Sequence, residues 1–192
     1  YNLQLAKAVK ANYPKCVIVF GGPGVPDADA EFFITYPWVD YLIHTEGEQS
    51  FANLLETLLK GACKPHISIP SNRTKSLDTI PSPYLSGVFD AVLTQASEQK
   101  VIINALLETN RGCPFKCTFC DWGGLTFSKI HCFDLDRIKQ EITWLGKNQI
   151  EMLSLADANF GIFPERDLEI AQWAIKTKQE YGFPKYFDTS WT

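Results

Sequence analysis

Three cysteines in one short stretch are the residues of this chain best placed to do chemistry. Cys113, Cys117 and Cys120 lie in the sequence RGCPFKCTFCDWGG, residues 111–124, with the spacing C-x3-C-x2-C. Three thiolates can ligate three irons of a [4Fe–4S] cluster and leave the fourth iron open to a small molecule. The spacing therefore predicts a metal centre that keeps one free coordination position.

A closed site with four protein ligands is the alternative. Cys132 follows Cys120 after eleven residues, beside His131, so the pattern C-x3-C-x2-C-x11-C would also supply four ligands to zinc. Zinc sites more often take a C-x2-C pair from each half of the motif, and only one half has that spacing here. A non-catalytic zinc module or a closed electron-transfer cluster is thus a second hypothesis.

The cysteine spacing, with the aromatic Phe119 directly before the last cysteine, resembles the signature of the radical S-adenosylmethionine (radical SAM) enzymes. The resemblance implies that Cys113, Cys117 and Cys120 hold a [4Fe–4S] cluster whose open iron binds SAM, and that Phe119 contacts the adenine. It further implies that the cluster cleaves SAM reductively and that the resulting 5′-deoxyadenosyl radical abstracts a hydrogen atom. An electron donor such as flavodoxin or ferredoxin is the implied partner.

The segment ADANFG follows a predicted strand at the place where radical SAM enzymes often carry a polar motif. In those enzymes the motif meets the methionyl amino group, so the resemblance implies that Asp157 and Asn159 contact SAM. The commoner Gly-Gly form of the motif is missing here. From the residue types alone, a strand-end turn whose Asp and Asn cap the backbone is an equal alternative.

Two segments of the first half resemble the cobalamin-binding domain that precedes the barrel in one radical SAM subgroup. They are CVIVFGGPGVP, residues 16–26, and the stretch 45–48, TEGE, in which threonine replaces the usual first glycine. The resemblance implies cobalamin contacts from Gly21, Gly22, Glu46, Gly47 and Glu48. A tight turn at the glycines and a capping box from Thr45 to Glu48 explain the same residues without a cofactor.

Other features of the subgroup are partly present. The phrase IPSPYLSGVFD, residues 80–90, resembles the subgroup's bridge into the barrel. His44 and His66 do not match the motif of the lower cobalamin ligand, and we interpret both as ordinary surface or strand histidines.

Short apolar runs alternate with amphipathic helices along most of the chain, which predicts an α/β fold with parallel sheets. The first series comprises a helix at 2–12, a strand at 16–20 buried on both faces, a helix at 27–36, a strand at 38–43 and a helix ending at Gly61. The second comprises a strand at 101–109, a helix capped by Asp134, a strand at 152–157, a helix from Pro164 to Gly182 and a last strand at 185–191.

The resemblance assigns these series to three regions. Residues 1–61 correspond to the C-terminal half of a Rossmann-like cobalamin-binding domain, and residues 101–192 to the first βα units of a partial (β/α)6 radical SAM barrel. Residues 62–100 lack periodicity and are rich in proline, which predicts a linker or strap pinned by Ile80, Tyr84, Leu85 and Phe89. We expect both ends to be cuts through a longer protein.

Composition excludes several classes of function. The net charge is −4 without a basic run, so we expect no nucleic-acid partner. No apolar run approaches the roughly 20 residues that span a bilayer, and no secretory signal is visible, so we expect a cytoplasmic protein. Six cysteines without an export signal favour metal or redox chemistry over disulfides, and Cys16 is predicted to be a small buried hydrophobe.

The predicted function is that of a radical SAM enzyme with a [4Fe–4S] cluster, SAM and cobalamin as cofactors. Cobalamin-dependent methyl transfer to a carbon or phosphorus centre is the favoured outcome. A rearrangement or oxidation by a radical SAM enzyme with a vestigial cobalamin domain is the alternative within the family.

Overall fold

The computed structural model describes residues 1–22, 24–26, 30–62, 64–70, 73–120 and 129–190. The described residues form two compact units, the first within residues 1–75 and the second from residue 76 onward. Both contain parallel strands joined by helices, as the sequence predicts. No helix in the described ranges has the length and apolar character needed to cross a membrane.

The first unit is a three-stranded parallel sheet with helices between its strands. Its elements are α1 (Asn2–Asn12), β1 (Val19–Gly21), α2 (Ala30–Thr35), β2 (Tyr41–Ile43), α3 (Glu48–Leu59) and β3 (Ile67–Ile69), with the strand order β1-β2-β3. The last residues of the strands, Gly21, Ile43 and Ile69, are in register. The loops that follow the strands therefore leave from one edge of the sheet.

The central strand β2 is the buried strand of this unit. All three of its residues are buried, with Leu42 packed on Phe33 and Val39 on one face and Tyr41 and Ile43 packed on the other. The prediction that strand 16–20 is buried on both faces is wrong. Strand β1 begins only at Val19 and lies at an edge of the described sheet, so it is half-buried and Cys16 is exposed.

The predicted capping box from Thr45 to Glu48 is also wrong. Helix α3 begins at Glu48 with Gly47 as its N-cap and without a side-chain capping bond, so Glu48 is the first helical residue rather than the third. Thr45 lies before the helix with a φ of 54°, in the left-handed region. Gly61 has a φ of 68° directly after the C-cap residue, which confirms the predicted glycine at that end.

The stretch predicted to be an irregular strap contains regular structure. Strand β3 completes the first sheet, while a short 3₁₀ helix (Leu77–Thr79) and α4 (Asp90–Gln99) belong to the second unit. A three-residue strand and a mostly polar helix offer too little periodicity to be recognised. The predicted anchors Ile80, Tyr84 and Phe89 do pack on the second core, whereas Leu85 remains 42% exposed.

After α4, the second unit continues with β4 (Asn104–Leu107), β5 (Asn110–Arg111), β6 (His131–Cys132), α5 (Leu135–Lys147), β7 (Met152–Leu155), α6 (Pro164–Tyr181) and β8 (Tyr186–Asp188). It contains a parallel sheet with the strand order β4-β7-β8 and a short antiparallel pair, β5-β6. The predicted helix ends are confirmed. The Asp134 side chain accepts a hydrogen bond from the Arg137 N–H, Pro164 opens α6, and Gly182 ends it with a φ of 79°.

The predicted apolar stripe of α5 forms the centre of the second core. Ile138, Ile142 and Leu145 are fully buried against Leu153 of β7 and Ile170 of α6. Burial of each such side chain contributes about 1.5 to 3 kcal/mol, so this contact fixes the helices on the sheet. The carboxyl ends of β4 and β7 are thereby held side by side, with Leu107 in register with Leu155.

We expect Gly146→Ala to destabilise the second unit, because α5 and α6 touch at this glycine. A Cβ at position 146 would overlap the Thr177 Cγ2 methyl and would lie 3.2 Å from the Phe183 carbonyl oxygen. Overpacking costs about 1 to 3 kcal/mol and outweighs the gain of up to about 1 kcal/mol from replacing a helical glycine. Thermal unfolding measures the loss, and Gly146→Ala combined with Thr177→Ser should recover part of it. Equal loss in both variants would contradict this explanation.

Candidate cofactor site

The cysteine loop is closed at its base by a short antiparallel ladder. Strand β5 precedes the loop and pairs with β6, which follows it, so that Asn110 lies opposite Cys132. The Phe133 N–H donates to the Thr109 carbonyl oxygen at 3.0 Å and extends this closure by one step. The ends of the loop are therefore fixed, although residues 121–128 within it lie outside the described residues.

The three predicted cluster ligands differ in their surroundings. Cys113 is buried, whereas Cys117 and Cys120 are exposed in a turn in which the Cys120 N–H donates to the Cys117 carbonyl oxygen at 3.2 Å. Phe119, within the same turn, is 91% exposed. In the part of the chain that the structure describes, no three His, Cys, Asp or Glu side chains are grouped as metal ligands. The structure thus fixes Cys113 in the protein and leaves the other two thiols and the Phe119 ring accessible.

Cys132, the fourth ligand of the zinc hypothesis, lies in the closing ladder. It is half-buried, and burial raises the pKa of its thiol, with further increases from the charges of Asp167 and Asp157 and an opposing effect of Arg166. Its neighbour His131 faces Arg111 across the ladder.

Asp157 joins the loop after β7 to the start of the cysteine loop. Its carboxylate is 1% exposed and accepts four hydrogen bonds, from the backbone N–H groups of Thr109 (2.6 Å) and Asn110 (3.1 Å), the Asn110 Nδ2 (2.9 Å) and the Thr109 hydroxyl. Burial raises the pKa of this carboxyl above its ordinary value, although these hydrogen bonds and the charge of Arg166 oppose the rise. Asp157 thus holds the backbone on which the cysteine loop begins.

Asn159 contacts a predicted cluster ligand directly. Its Nδ2 lies 3.1 Å from the Cys113 Sγ, and both residues are 9% exposed. The next residue, Phe160, is buried, and its N–H donates to the Ser190 carbonyl oxygen at 2.9 Å. The structure therefore brings Asn159 and Cys113 together, as expected for loops that leave neighbouring parallel strands at one edge.

Arg166 is a further residue of this site, and sequence analysis missed it. Its Nη2 donates to the carbonyl oxygens of Thr109 (2.8 Å) and Phe133 (3.2 Å), which lie on the two sides of the loop base. Its Nη1 lies 3.3 Å from the Thr109 Oγ1 and from the Asp167 Oδ1. No sequence signal marks this residue, because an arginine in the first turn of a helix is ordinarily a surface residue.

The glycine turn after β1 exposes its backbone in the first unit. Gly22 has a φ of 91°, and a Cβ at Gly22 or Gly24 would meet no described atom within 4 Å. An open groove of about 1050 Å³ adjoins the turn and is lined by Gly21, Gly24 and mainly apolar side chains. A planar ligand could therefore approach the backbone at this edge of the sheet.

The TEGE segment leaves the same sheet edge, after β2. Glu46 is nearly buried, and its carboxylate accepts hydrogen bonds from the Arg73 Nε (3.1 Å) and the Thr74 N–H (2.7 Å). It therefore anchors the segment that follows β3. Glu48 is exposed on the first turn of α3. Of the two histidines in this unit, His44 pairs with the Ser68 hydroxyl and His66 with the Pro37 carbonyl oxygen.

Curated relatives match nearly the whole chain. The cobalamin-dependent radical SAM methyltransferase TokK of Streptomyces tokunonensis is 41% identical over 198 residues, which cover 96% of this chain and 29% of TokK. The 2-(S-pantetheinyl)-carbapenam-3-carboxylate methyltransferase of Streptantibioticus cattleyicolor is 40% identical with the same coverages. The chain is thus similar over nearly its whole length to a cobalamin-dependent radical SAM methyltransferase. No family model matches the sequence.

A solved structure supports the predicted fold. The cobalamin-dependent S-adenosylmethionine radical enzyme OxsB, solved with aqua-cobalamin and S-adenosylmethionine bound, matches 96% of the chain with a TM-score of 0.61 and 18% identity. The match covers 27% of the OxsB chain. The predicted fold class is confirmed. The chain spans about 29% of the length of these two curated relatives.

The donor groups of the cysteine loop suit an iron–sulfur cluster. The loop offers three thiols, and the buried Cys113 lies beside an amide N–H that stabilises the thiolate form of its sulfur. The glycine turn suits a large planar cofactor, because its open backbone lies at the carboxyl edge of a parallel sheet. In both units the residues present therefore fit the cofactors that the resemblance implies.

Proposed function

We propose that this protein is a cobalamin-dependent radical SAM methyltransferase that acts on an unactivated carbon or phosphorus centre. The observation that carries the proposal is the cysteine loop, which is fixed at the carboxyl edge of the β4-β7-β8 sheet with Cys113 buried beside the Asn159 amide. The 41% identity to TokK over nearly the whole chain supports the same conclusion.

The residues of the second unit have separate roles in this proposal. Cys113, Cys117 and Cys120 would ligate the [4Fe–4S] cluster, and the exposed Phe119 ring would pack on the adenine of SAM. The geometry favours a positioning role for Asp157, because both of its carboxylate oxygens already accept hydrogen bonds from Thr109 and Asn110. Asn159 keeps a second amide hydrogen that could meet the methionyl group.

When bound, the cofactors would pass on the electron that cleaves SAM and would provide the methyl group that is transferred. A flavodoxin or ferredoxin would first deliver that electron to them. In the first unit, the backbone at Gly21, Gly22 and Gly47 would lie against cobalamin, with Glu48 at the same edge. Glu46 would act indirectly, by holding the segment at Arg73 and Thr74.

The name of one relative indicates which substrate class to test first. Because the Streptantibioticus cattleyicolor relative is named for methyl transfer to 2-(S-pantetheinyl)-carbapenam-3-carboxylate, a carbapenam carboxylate with a thioether side chain is the first substrate to test.

The experiment uses the complete protein, reconstituted without oxygen with iron, sulfide and cobalamin. The proposal predicts a bound cluster, cobalamin retained through gel filtration, release of 5′-deoxyadenosine from SAM, and methylated carbapenam product. Formation of 5′-deoxyadenosine without cobalamin retention or methylation would instead support a rearrangement or oxidation. Zinc in place of the cluster would contradict the proposal altogether.

A further inference from the structure

We propose that the Asn159 side chain donates a hydrogen bond to the cluster-ligating thiolate of Cys113 and thereby raises the reduction potential of the cluster. The inference rests on the proposed function, because it takes Cys113 as a cluster ligand. The contact is short, with 3.1 Å between Nδ2 and Sγ, and both residues are nearly buried.

Chemistry fixes the orientation of the Asn159 amide once Cys113 is a thiolate. An iron-bound thiolate has no proton to donate, so a carbonyl oxygen facing it would be repelled and an N–H group is favoured. The backbone around Asn159 is fixed on both sides. Asp157 is tied to Thr109 and Asn110, and the Phe160 N–H donates to the Ser190 carbonyl oxygen. The donor therefore does not have to reorganise when the cluster changes its charge.

The effect on the potential follows from the charge of the two oxidation states. Reduction adds one electron, part of which resides on the cysteine sulfurs, so a donor stabilises the reduced cluster more than the oxidised one. Burial of the contact strengthens this difference, because water screens it poorly. A hydrogen bond to a charged acceptor alters such an equilibrium by about tenfold, which is about 59 mV for a one-electron couple.

The test compares the midpoint potentials of reconstituted clusters in the complete protein, measured by redox titration with electron paramagnetic resonance. Asn159→Leu removes the donor at similar volume, and Asn159→Asp removes it and adds a negative charge. We expect the midpoint potential to fall in the order wild type, Asn159→Leu, Asn159→Asp. The Leu variant should lie about 59 mV below wild type, which is a tenfold change in the reduction equilibrium. Asn148→Leu is the matched control. It removes a hydrogen bond from the Asn148 side-chain amide to the Trp144 carbonyl oxygen, near the opposite end of β7, and should leave the potential unchanged.

Each outcome decides the inference. Loss of the cluster from both Asn159 variants, with unchanged thermal stability of the cluster-free proteins, also supports the contact. Unchanged potentials in both variants, or cluster loss accompanied by unfolding in both, would overturn it while leaving the proposed function intact. A wild-type protein without any [4Fe–4S] cluster would overturn the proposed function as well, so the two failures are distinguishable.

Discussion

Serine at Cys113, Cys117 or Cys120 is expected to abolish cluster binding, whereas serine at Cys132 is not. A serine hydroxyl is almost the size of the thiol, but it does not ionise readily and its oxygen is not a soft ligand as a thiolate is. Each variant therefore leaves one iron without its protein ligand. Iron and acid-labile sulfide should fall from about four per chain to near zero in each of the three variants after identical anaerobic reconstitution. Binding of SAM should be lost with them.

The control variants separate the open cluster from a closed site. Cys132 is half-buried in the β5-β6 ladder, and Cys16 is exposed in the other unit, so Cys132→Ser and Cys16→Ser should keep full iron and sulfide content. If Cys132→Ser lost as much metal as Cys113→Ser, four protein ligands would bind the metal and the open position for SAM would not exist. This comparison thus tests the central inference from the spacing C-x3-C-x2-C.

The sequence predicts best those elements whose signals are local. The stripe of Ile138, Ile142 and Leu145, the cap at Asp134 and the glycine at 182 all act within one or two helical turns, and each occurs as predicted. The buried state of strand 16–20 depends instead on whether another strand lies beyond it, which its own residues do not encode. The apolar run therefore predicts a central strand, whereas β1 lies at an edge of the described sheet.

The candidate site follows the same division. The cysteines are recognisable because their spacing along the chain is itself the chemical requirement. Arg166 was missed because its partners Thr109 and Phe133 are 57 and 33 residues away and are backbone carbonyls, which leave no trace in side-chain identity. Similarly, the Asp157 carboxylate was predicted to contact SAM, and its engagement by Thr109 and Asn110 becomes evident only when β4 and β7 are placed side by side.

Arg166→Met is expected to destabilise the second unit strongly. It keeps the apolar stem but removes the donors to the Thr109 and Phe133 carbonyls, and it takes away a positive charge that favours the ionised Asp157. Leaving buried groups without such partners lowers the free energy of unfolding by about 3 kcal/mol. Arg166→Lys should lie between, because one ammonium group cannot reproduce the planar fork. Thermal or urea unfolding of the cluster-free protein measures both losses.

The pH dependence of unfolding shows which part of that loss comes from the positive charge of Arg166. Burial raises the pKa of Asp157 in the folded protein above its unfolded value of about 3.9. Ionisation of Asp157 therefore lowers the free energy of unfolding as the pH rises from the unfolded pKa through the folded pKa. Without Arg166 the folded pKa rises further, since Asp167 and Cys132, the other titratable groups nearby, supply no positive charge. The deficit of Arg166→Met relative to wild type should therefore be largest near neutral pH and shrink toward pH of about 4.

Asp157→Asn provides the matched control for this pH effect. Asn110 Oδ1 has no hydrogen-bond partner among the described atoms, so the Asn110 amide can turn and accept from the new amide at position 157. The neutral residue should therefore be tolerated better than Arg166→Met, and the double variant should be less destabilised than the sum of the single changes. The double variant should also lose the pH-dependent part of the deficit. If it kept that part, Asp157 would not be the group that Arg166 stabilises, and the guanidinium would act through the two carbonyls alone.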